Sequence, residues 1–178
     1  MQKVDSLRGK WWRNAVFFLT AILVVVGDQL SKIWIRSNLA IGQSLPETGF
    51  FRIVHTHNTG AAFGLFQGQS FALTIVAFVG VAILLFYAFF VCRRFPFLNN
   101  MLSRVALGSI LGGTVGNLID RLRFGGVTDF IGVGIWPPFN VADSSITVGV
   151  VVFAGSLLYL LFSQRQETKR DKTVSQKN

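Results

Sequence analysis

The sequence predicts an all-α membrane protein with four transmembrane helices. Hydrophobic residues make up 51% of the 178 residues and charged residues only 14%, whereas soluble domains carry about 25% charged residues. The mean hydropathy is +0.52. This composition excludes an intrinsically disordered chain, which is poor in apolar residues. A disulfide-stapled secreted module is excluded as well, because Cys92 is the only cysteine.

Uncharged apolar runs locate the four helices, because about 20 helical residues are needed to cross a bilayer. The second and fourth runs are the clearest, since neither contains a charged residue or a proline. The third run is shorter and extends to the membrane surface at its start. The first run follows a basic segment. The predicted helices cover about residues 14–34, 70–92, 102–119 and 144–164.

The distribution of basic residues predicts the orientation. Twelve of the 17 Lys and Arg residues precede helix 1, separate helices 2 and 3, or follow helix 4. By the positive-inside rule, both termini are expected in the cytoplasm, and the longer connections at about 35–69 and 120–143 face outward. We therefore expect one integral-membrane domain, 1–178, with basic tails at 1–13 and 165–178. The pI near 10.7 then reflects the basic residues that orient the helices in the membrane, and no nucleic-acid partner is expected.

The first helix also fits a second interpretation. Basic residues before a short apolar run are typical of a cleavable signal peptide. No small-x-small cleavage site follows the run, because the next residues are Asp28–Lys32. We therefore expect helix 1 to be retained.

The third helix is predicted to be central. Gly108, Gly112 and Gly116 recur every four residues, so they line one helix face and allow a neighbouring backbone to approach closely. The residues at the outer end of this helix are therefore expected to be buried among other helices.

The acidic residues are few and unevenly placed. Four of the eight are expected on solvated surface: Asp5, Glu47, Glu167 and Asp171. The other four lie at the outer ends of predicted helices or in the loop between the last two: Asp28, Asp120, Asp129 and Asp143. Ionisable groups at this depth are costly, so each of these four is a candidate functional residue.

Structural roles compete with functional ones for two of these acids. Asp143 follows Asn140 by three positions at a helix start, which is a capping pattern. Asp120 precedes Arg121 and follows Asn117 by three positions, so an ion pair or a helix-terminal hydrogen bond would also explain it.

The remaining two acids differ in their expected partners. Asp28 and Lys32 are four residues apart, which favours a structural ion pair on helix 1. Asp129 lies in a strand-like apolar segment with no obvious basic partner. Two acids that converge without a cation share a proton, and aspartic proteases use this arrangement to activate water.

Other kinds of site have weaker support. His55 and His57 would lie on one face of a strand, but no third metal ligand accompanies them. Ser144 and Ser145 have no nearby histidine for a catalytic triad, and Cys92 lies far from the acids. The sequence thus predicts no metal and no cofactor.

Five sequence blocks resemble, in order, the bacterial lipoprotein signal peptidases (signal peptidase II). The resemblance covers about residues 14–163, the whole chain apart from its tails. The blocks are Asp28–Lys32, Asn58–Phe63, Gly116–Arg121, Val127–Ile131 and Phe139–Ser144.

The resemblance implies an activity and a location. Members of the family are aspartic endopeptidases of the bacterial inner membrane. They cut prolipoproteins before a diacylglyceryl-modified cysteine, so the implied partners are lipidated signal peptides and membrane lipids. The active site is expected at the periplasmic or outer face. By similarity, Asp129 and Asp143 form the catalytic dyad. The residues implied to bind substrate or shape the site are Asn58, Asn117, Asp120, Arg121, Asn140, Asp28 and Lys32.

The family fold adds a small outward-facing β-cradle and a short interfacial helix. Both are expected from about residues 40–69, where Phe50 to Thr56 resembles a strand. Two departures from the family pattern stand out. The stretch from Asp129 to Asp143 is compact, and Thr128 stands where a second valine is common.

Two other functional classes remain open at this point. A small proton-coupled transporter would also keep carboxylates in membrane helices, although normally near the midplane between repeated halves. A non-enzymatic membrane scaffold would use the Asn and Asp residues as helix caps.

Overall fold

The computed structural model describes residues 2–60, 66–94 and 100–175. Four helices in this part of the chain are long and apolar enough to cross a membrane: Trp11–Asn38, Ser70–Val91, Met101–Phe124 and Val141–Leu160. The predicted fold class is therefore confirmed as a multi-pass membrane protein. The complete helices are α1 (Gln2–Asn38), α2 (Ser70–Phe86), α3 (Cys92–Arg94), α4 (Met101–Phe124) and α5 (Val141–Ser175).

Three of the spanning helices extend past their predicted outer ends. Helix α1 ends at Asn38 rather than 34, α4 continues to Phe124 rather than 119, and α5 begins at Val141 rather than 144. The extra turns carry charged and amide side chains, and several of them form hydrogen bonds or ion pairs with other helices. Segment α2 continues through a π-helical turn at Tyr87–Val91 into the short α3.

Helix α4 is the most buried of the four spanning helices, as its glycines predict. A Cβ atom at Gly108 would lie 2.6 Å from the Phe17 carbonyl oxygen, and one at Gly112 would lie 2.6 Å from the Ala21 carbonyl oxygen. Only glycine permits so close an approach of α1. On another side, Gly113 faces the backbone of α5 at Ala142. The C-terminal half of α4 is therefore enclosed by both neighbours.

A four-stranded antiparallel sheet lies at the C-terminal end of α4. Its strands are β1 (Ser44–Leu45), β2 (Phe51–Asn58), β3 (Val127–Val133) and β4 (Trp136–Phe139), in the order β1-β2-β3-β4. The cradle was expected from about residues 40–69 and Asp129 in a strand-like segment; two of the four strands of the sheet come from 127–139. The compact stretch after Asp129 forms this second hairpin, which turns at Gly134 with a φ of 53°.

The predicted short interfacial helix falls partly outside the described residues. Residues 40–60 and 66–69 contain strands, turns and bends but no helix. The rest of that connection, residues 61–65, lies outside the described part of the chain.

The two faces of β3 serve different purposes. Phe130 is buried against Ile35 of α1 and Leu39, which directly follows α1, so this face anchors the sheet to the helices. Asp129 lies on the opposite face, because successive strand residues alternate. The fold thus holds Asp129 beside the C-terminal end of α4 and the N-terminal end of α5.

Candidate active site

Asp129 is held by amide groups on both of its carboxylate oxygens. Asn140 donates from Nδ2 to Oδ1 at 2.7 Å, and Asn58 donates from Nδ2 to Oδ2 at 2.9 Å. The side chain of Asn58 is itself fixed, because its Oδ1 accepts from the Gly60 backbone N–H at 2.9 Å. Thr56 donates from its hydroxyl to the Asp129 carbonyl at 3.0 Å. Asp129 is 3% exposed, so little water reaches its carboxyl group.

Asp143 belongs to a cap at the start of α5. Its backbone N–H donates to Asn140 Oδ1 at 2.9 Å, and its Oδ2 accepts from the Asn140 backbone N–H at 3.3 Å. This reciprocal pair is a capping box, so the capping role expected for Asp143 is real. Its other oxygen, Oδ1, accepts from Asn117 Nδ2 at 2.8 Å. Asp143 is therefore a cap whose carboxylate also faces the site.

Asn140 connects the two carboxylates. Its side-chain amide donates to Asp129 Oδ1, and its side-chain carbonyl accepts from the backbone N–H of Asp143. Its own backbone N–H donates to the Asp143 carboxylate. The residue is fully buried, and it makes a third contact with Asn117 Oδ1 at 3.2 Å. One side chain thus fixes the position of one acid and the helix start that carries the other.

A buried ionic network lies behind these amides. Lys32, which is fully buried, is 2.8 Å from Asp28 Oδ2 and donates to Asn117 Oδ1 at 2.8 Å. The predicted pair of Asp28 and Lys32 is therefore present. Asp28 also accepts from the Ala142 backbone N–H at 2.9 Å, which ties α1 to the first turn of α5.

Asp120 finds its partners on α1 rather than next to it in sequence. Its carboxylate lies 3.7 Å from Lys32 Nζ and 3.4 Å from Arg36 Nη1. Of the two structural explanations, the ion pair with Arg121 is not found among the described residues, because adjacent helix residues point in different directions. Asp120 also makes a helix-terminal hydrogen bond, accepting from the Thr128 backbone N–H at 3.0 Å.

Arg121 instead lines the cavity beside the two acids. It donates from Nη2 to the Gly60 carbonyl at 3.4 Å and interacts electrostatically with Asp143, Asp129 and Asp120. Its Nε is buried without a hydrogen-bond partner among the described residues.

The cavity has a volume of about 800 Å³. Both Asp129 and Asp143 line it, together with Asn58, Asn117 and Arg121. Its apolar wall comes from two elements, the β4 strand and the first turns of α5: Trp136, Pro137, Pro138, Phe139, Ile146 and Val148. The site therefore combines a polar end with an apolar wall.

The electrostatics of Asp129 set it apart from an ordinary surface acid. Burial raises the pKa of Asp129 to about 6, and the nearby negative charge of Asp143 adds to this effect. The hydrogen bonds from Asn58 and Asn140 lower the pKa and limit the rise. None of the ion pairs in the described part of the chain involves Asp129 or Asp143.

All nine residues that the sequence singled out lie in this region. Asp129, Asp143, Asn58, Asn117 and Arg121 line the cavity. The other four form the hydrogen-bonded layer behind it: Asn140, Asp120, Asp28 and Lys32. Residues 61–63 of the Asn58 block lie outside the described residues.

Sequence reasoning missed three contributors, Arg36, Gln29 and Thr56. Arg36 follows Asp28 and Lys32 at four-residue intervals, so helical spacing already placed it on the same face of α1. Gln29 donates to the Gly116 carbonyl at 3.1 Å and to Asp120 at 3.3 Å. Neither the Gln29 nor the Thr56 contact carries a sequence signal, because each joins segments far apart in the chain.

The histidines take separate roles. His55 is buried with Nδ1 2.8 Å from the Leu39 carbonyl oxygen, whereas His57 lines the cavity. Among the described residues, no group of three or more His, Cys, Asp or Glu side chains is placed to hold a metal ion.

Comparison with known proteins agrees with the geometry. A family model described as signal peptidase (SPase) II matches residues 20–159. The lipoprotein signal peptidase of Dehalococcoides mccartyi strain BAV1 is 54% identical over 151 residues, covering 85% of this chain and 92% of that protein. The lipoprotein signal peptidase of Moorella thermoacetica is 43% identical and covers 85% of this chain and 98% of its own length.

Two solved structures share the fold. A bacterial membrane enzyme determined by the in meso method at 2.3 Å resolution has a TM-score of 0.73 and 32% identity, covering 82% of this chain and 88% of that one. A second, at 1.9 Å resolution, has a TM-score of 0.70 and 33% identity, covering 81% and 93%. With this family match over most of its length, the chain belongs to the signal peptidase II family, a family of membrane peptidases.

Proposed function

We propose that this protein is an aspartic endopeptidase that removes signal peptides from diacylglyceryl-modified prolipoproteins. It cuts the peptide bond before the lipidated cysteine. The observation that carries the proposal is the pair Asp129 and Asp143, which line one cavity, are connected through Asn140 and form no ion pair among the described residues.

The chemistry requires one protonated and one ionised carboxyl group. The ionised carboxylate takes a proton from a water molecule as the water oxygen attacks the scissile carbonyl carbon. The protonated carboxyl group donates its proton to the carbonyl oxygen, so a neutral gem-diol forms. As the C–N bond breaks, the ionised carboxylate takes a proton from one gem-diol hydroxyl and the protonated carboxyl group gives its proton to the leaving nitrogen. No acyl-enzyme forms.

The shared proton belongs to the pair, because two interacting acids titrate together. We assign the proton to Asp129, because burial raises the pKa of this residue to about 6. Asp143 accepts hydrogen bonds from the Asn117 amide and the Asn140 backbone, and these contacts fix the position of its carboxyl group.

Arg121 is a basic residue that lines the cavity together with Asp129 and Asp143. We assign its guanidinium group to a carbonyl of the substrate backbone. Asn58 and Asn117 remain bound to the acids, so they hold the dyad while Arg121 holds the substrate.

The apolar wall suits a lipidated substrate. Directly paired residues on neighbouring strands lie on the same face of the sheet. On the face that carries Asp129, two rows of paired apolar residues run across the strands. One row contains Leu45, Ile53, Ile131 and Phe139, and the other contains Phe51, Val133 and Trp136. On the opposite side, Val148 lines the cavity and is 61% exposed on the outside of the bundle. A substrate helix can therefore reach the acids from the bilayer while its acyl chains remain among apolar groups.

The location of the reaction follows from the charge distribution. The acids lie at the C-terminal ends of α1 and α4 and the N-terminal end of α5. Most basic residues of the sequence flank the opposite ends of these helices. The positive-inside rule then puts both termini in the cytoplasm and the dyad at the outer face of the bacterial inner membrane.

The test is the activity of single amide variants. Asp129→Asn and Asp143→Asn each remove one ionisable carboxyl group with little change in size. Glu47→Gln is the matched control, because Glu47 is exposed and outside the cavity. In detergent, with a diacylglyceryl-modified prolipoprotein followed by gel shift, both Asp variants are expected to lose processing and the control to retain it. Normal processing by either folded Asp variant would exclude the dyad.

A further inference from the structure

We infer that Arg36 is a positioning residue for Asp129 and that it acts through the hydroxyl group of Thr128. The inference rests on the proposed function, because it concerns the geometry of the proposed dyad. Arg36 does not line the cavity, so it takes no direct part in the chemistry.

The first observation is that Thr128, which immediately precedes Asp129, is held at three atoms. Its backbone N–H donates to Asp120 Oδ2 at 3.0 Å, and its carbonyl accepts from Asn140 Nδ2 at 3.4 Å. Its hydroxyl accepts from Arg36 Nη1 at 2.9 Å. Thr128 is 3% exposed, so these contacts are shielded from water and each lost partner would leave a buried polar atom.

The second observation is that Arg36 joins three elements at one point. From the outer end of α1, its Nη1 reaches both oxygens of Asp120 on α4 at 3.4 Å and Thr128 on β3 at 2.9 Å. Its guanidinium group also lies 4.5 Å from the centre of the Phe124 ring. A planar, permanently charged group suits such shared contacts better than a flexible amine does.

The consequence for Asp129 follows from strand geometry. Thr128 and Asp129 point to opposite faces of β3. Fixing Thr128 against α1 and α4 therefore fixes how far Asp129 projects into the cavity toward Asp143. Reaction rates depend steeply on such placement, because a displacement of about 1 Å can cost on the order of a hundredfold.

The experiment compares two partners of one contact by steady-state kinetics in detergent. Arg36→Gln removes the charge, and Thr128→Val removes only the hydroxyl acceptor. Each variant is expected to lower kcat about tenfold, with KM changed by less than about twofold. Thr128→Ser keeps a hydroxyl group and is expected to restore most of the kcat that Thr128→Val loses.

Arg123→Gln is the matched control. Arg123 lies on the last turn of α4 and contacts the same Phe124 ring at 5.5 Å, but it forms no described contact with Thr128 or Asp120. This variant is expected to keep the kcat of the parent enzyme. A loss equal to that of Arg36→Gln would overturn the inference, because any outer arginine would then have the same effect.

A double-mutant cycle separates positioning from general damage. If Arg36 acts through Thr128, the double variant Arg36→Gln/Thr128→Val loses no more kcat than the worse single variant. Losses that multiply, or equal losses in Thr128→Val and Thr128→Ser, would overturn the inference. If Arg36→Gln does not fold, the two Thr128 variants decide the question alone. If the parent enzyme fails to process the lipidated substrate, the proposed function fails instead.

Discussion

Replacing Asn140 by serine tests whether this residue supports the dyad independently of its capping role. Asparagine and serine are about equally good N-cap residues, so Asn140→Ser keeps an oxygen that accepts from the Asp143 backbone N–H. It removes the amide group that donates to Asp129 Oδ1 at 2.7 Å. The variant therefore separates the stability of α5 from the placement and charge of Asp129.

The expected magnitude follows from that one contact. A hydrogen bond to a charged group contributes about 1.5–3 kcal/mol, and a loss of about 2 kcal/mol in the transition state lowers kcat roughly 30-fold. Because the Asn140 hydrogen bond lowers the pKa of Asp129, its loss raises that pKa further above about 6. The basic limb of the pH–rate profile, where Asp129 loses its proton, is expected to move upward by about one unit.

The assay measures kcat against pH on a lipidated prolipoprotein and thermal unfolding in the same detergent. Asn140→Ala is the comparison, because it removes both the amide donor and the cap. Asn140→Ala is expected to lose about 1 kcal/mol more of the free energy of unfolding than Asn140→Ser. A parental kcat and pH profile for Asn140→Ser, or equal destabilisation by both variants, would refute the reasoning.

Three further predictions concern stability. Gly108→Ala is expected to cost about 1–3 kcal/mol of unfolding free energy, because the new Cβ would lie 2.6 Å from a backbone oxygen; Gly27→Ala, with open space around it, serves as the control in thermal unfolding. Asp28→Asn leaves the buried Lys32 charge without its nearest partner and is expected to cost about 3–5 kcal/mol; a melting temperature equal to the parent's would contradict this. The pKa of Asp129 is raised from 3.8 to about 6, so its contribution to stability is fully present below pH 3.8 and is lost as the pH rises through about 6. Asp129→Asn should therefore stabilise the protein at pH 7 and not at pH 3.5, as denaturation at both pH values can show.

Local spacing in the sequence predicted the contacts within single helices. The four spans follow from uncharged apolar runs, and the α1 packing face of α4 follows from Gly108 and Gly112. The ion pair of Asp28 with Lys32 follows from four-residue spacing. The cap that joins Asn140 and Asp143 follows in the same way from three-residue spacing.

Contacts between distant segments could not be predicted in this way. Asp120 was expected to pair with its neighbour, but it pairs with Lys32 and Arg36 on another helix. The choice of partner depends on how α1 is rotated against α4, which spacing along one helix does not specify. The second hairpin of the sheet was missed for a similar reason. A short strand such as β4, with two prolines, resembles a loop until its pairing with β3 is known.

A crystal structure with a bound peptide-like inhibitor that carries a hydroxyl group in place of the scissile carbonyl would test the central claim most directly. Such a group imitates the gem-diol, and the account predicts that Asp129 and Asp143 both lie within hydrogen-bonding distance of that one hydroxyl. Arg121 should contact a backbone carbonyl of the same inhibitor. A hydroxyl group held by only one of the two acids, or bound away from both, would contradict the account.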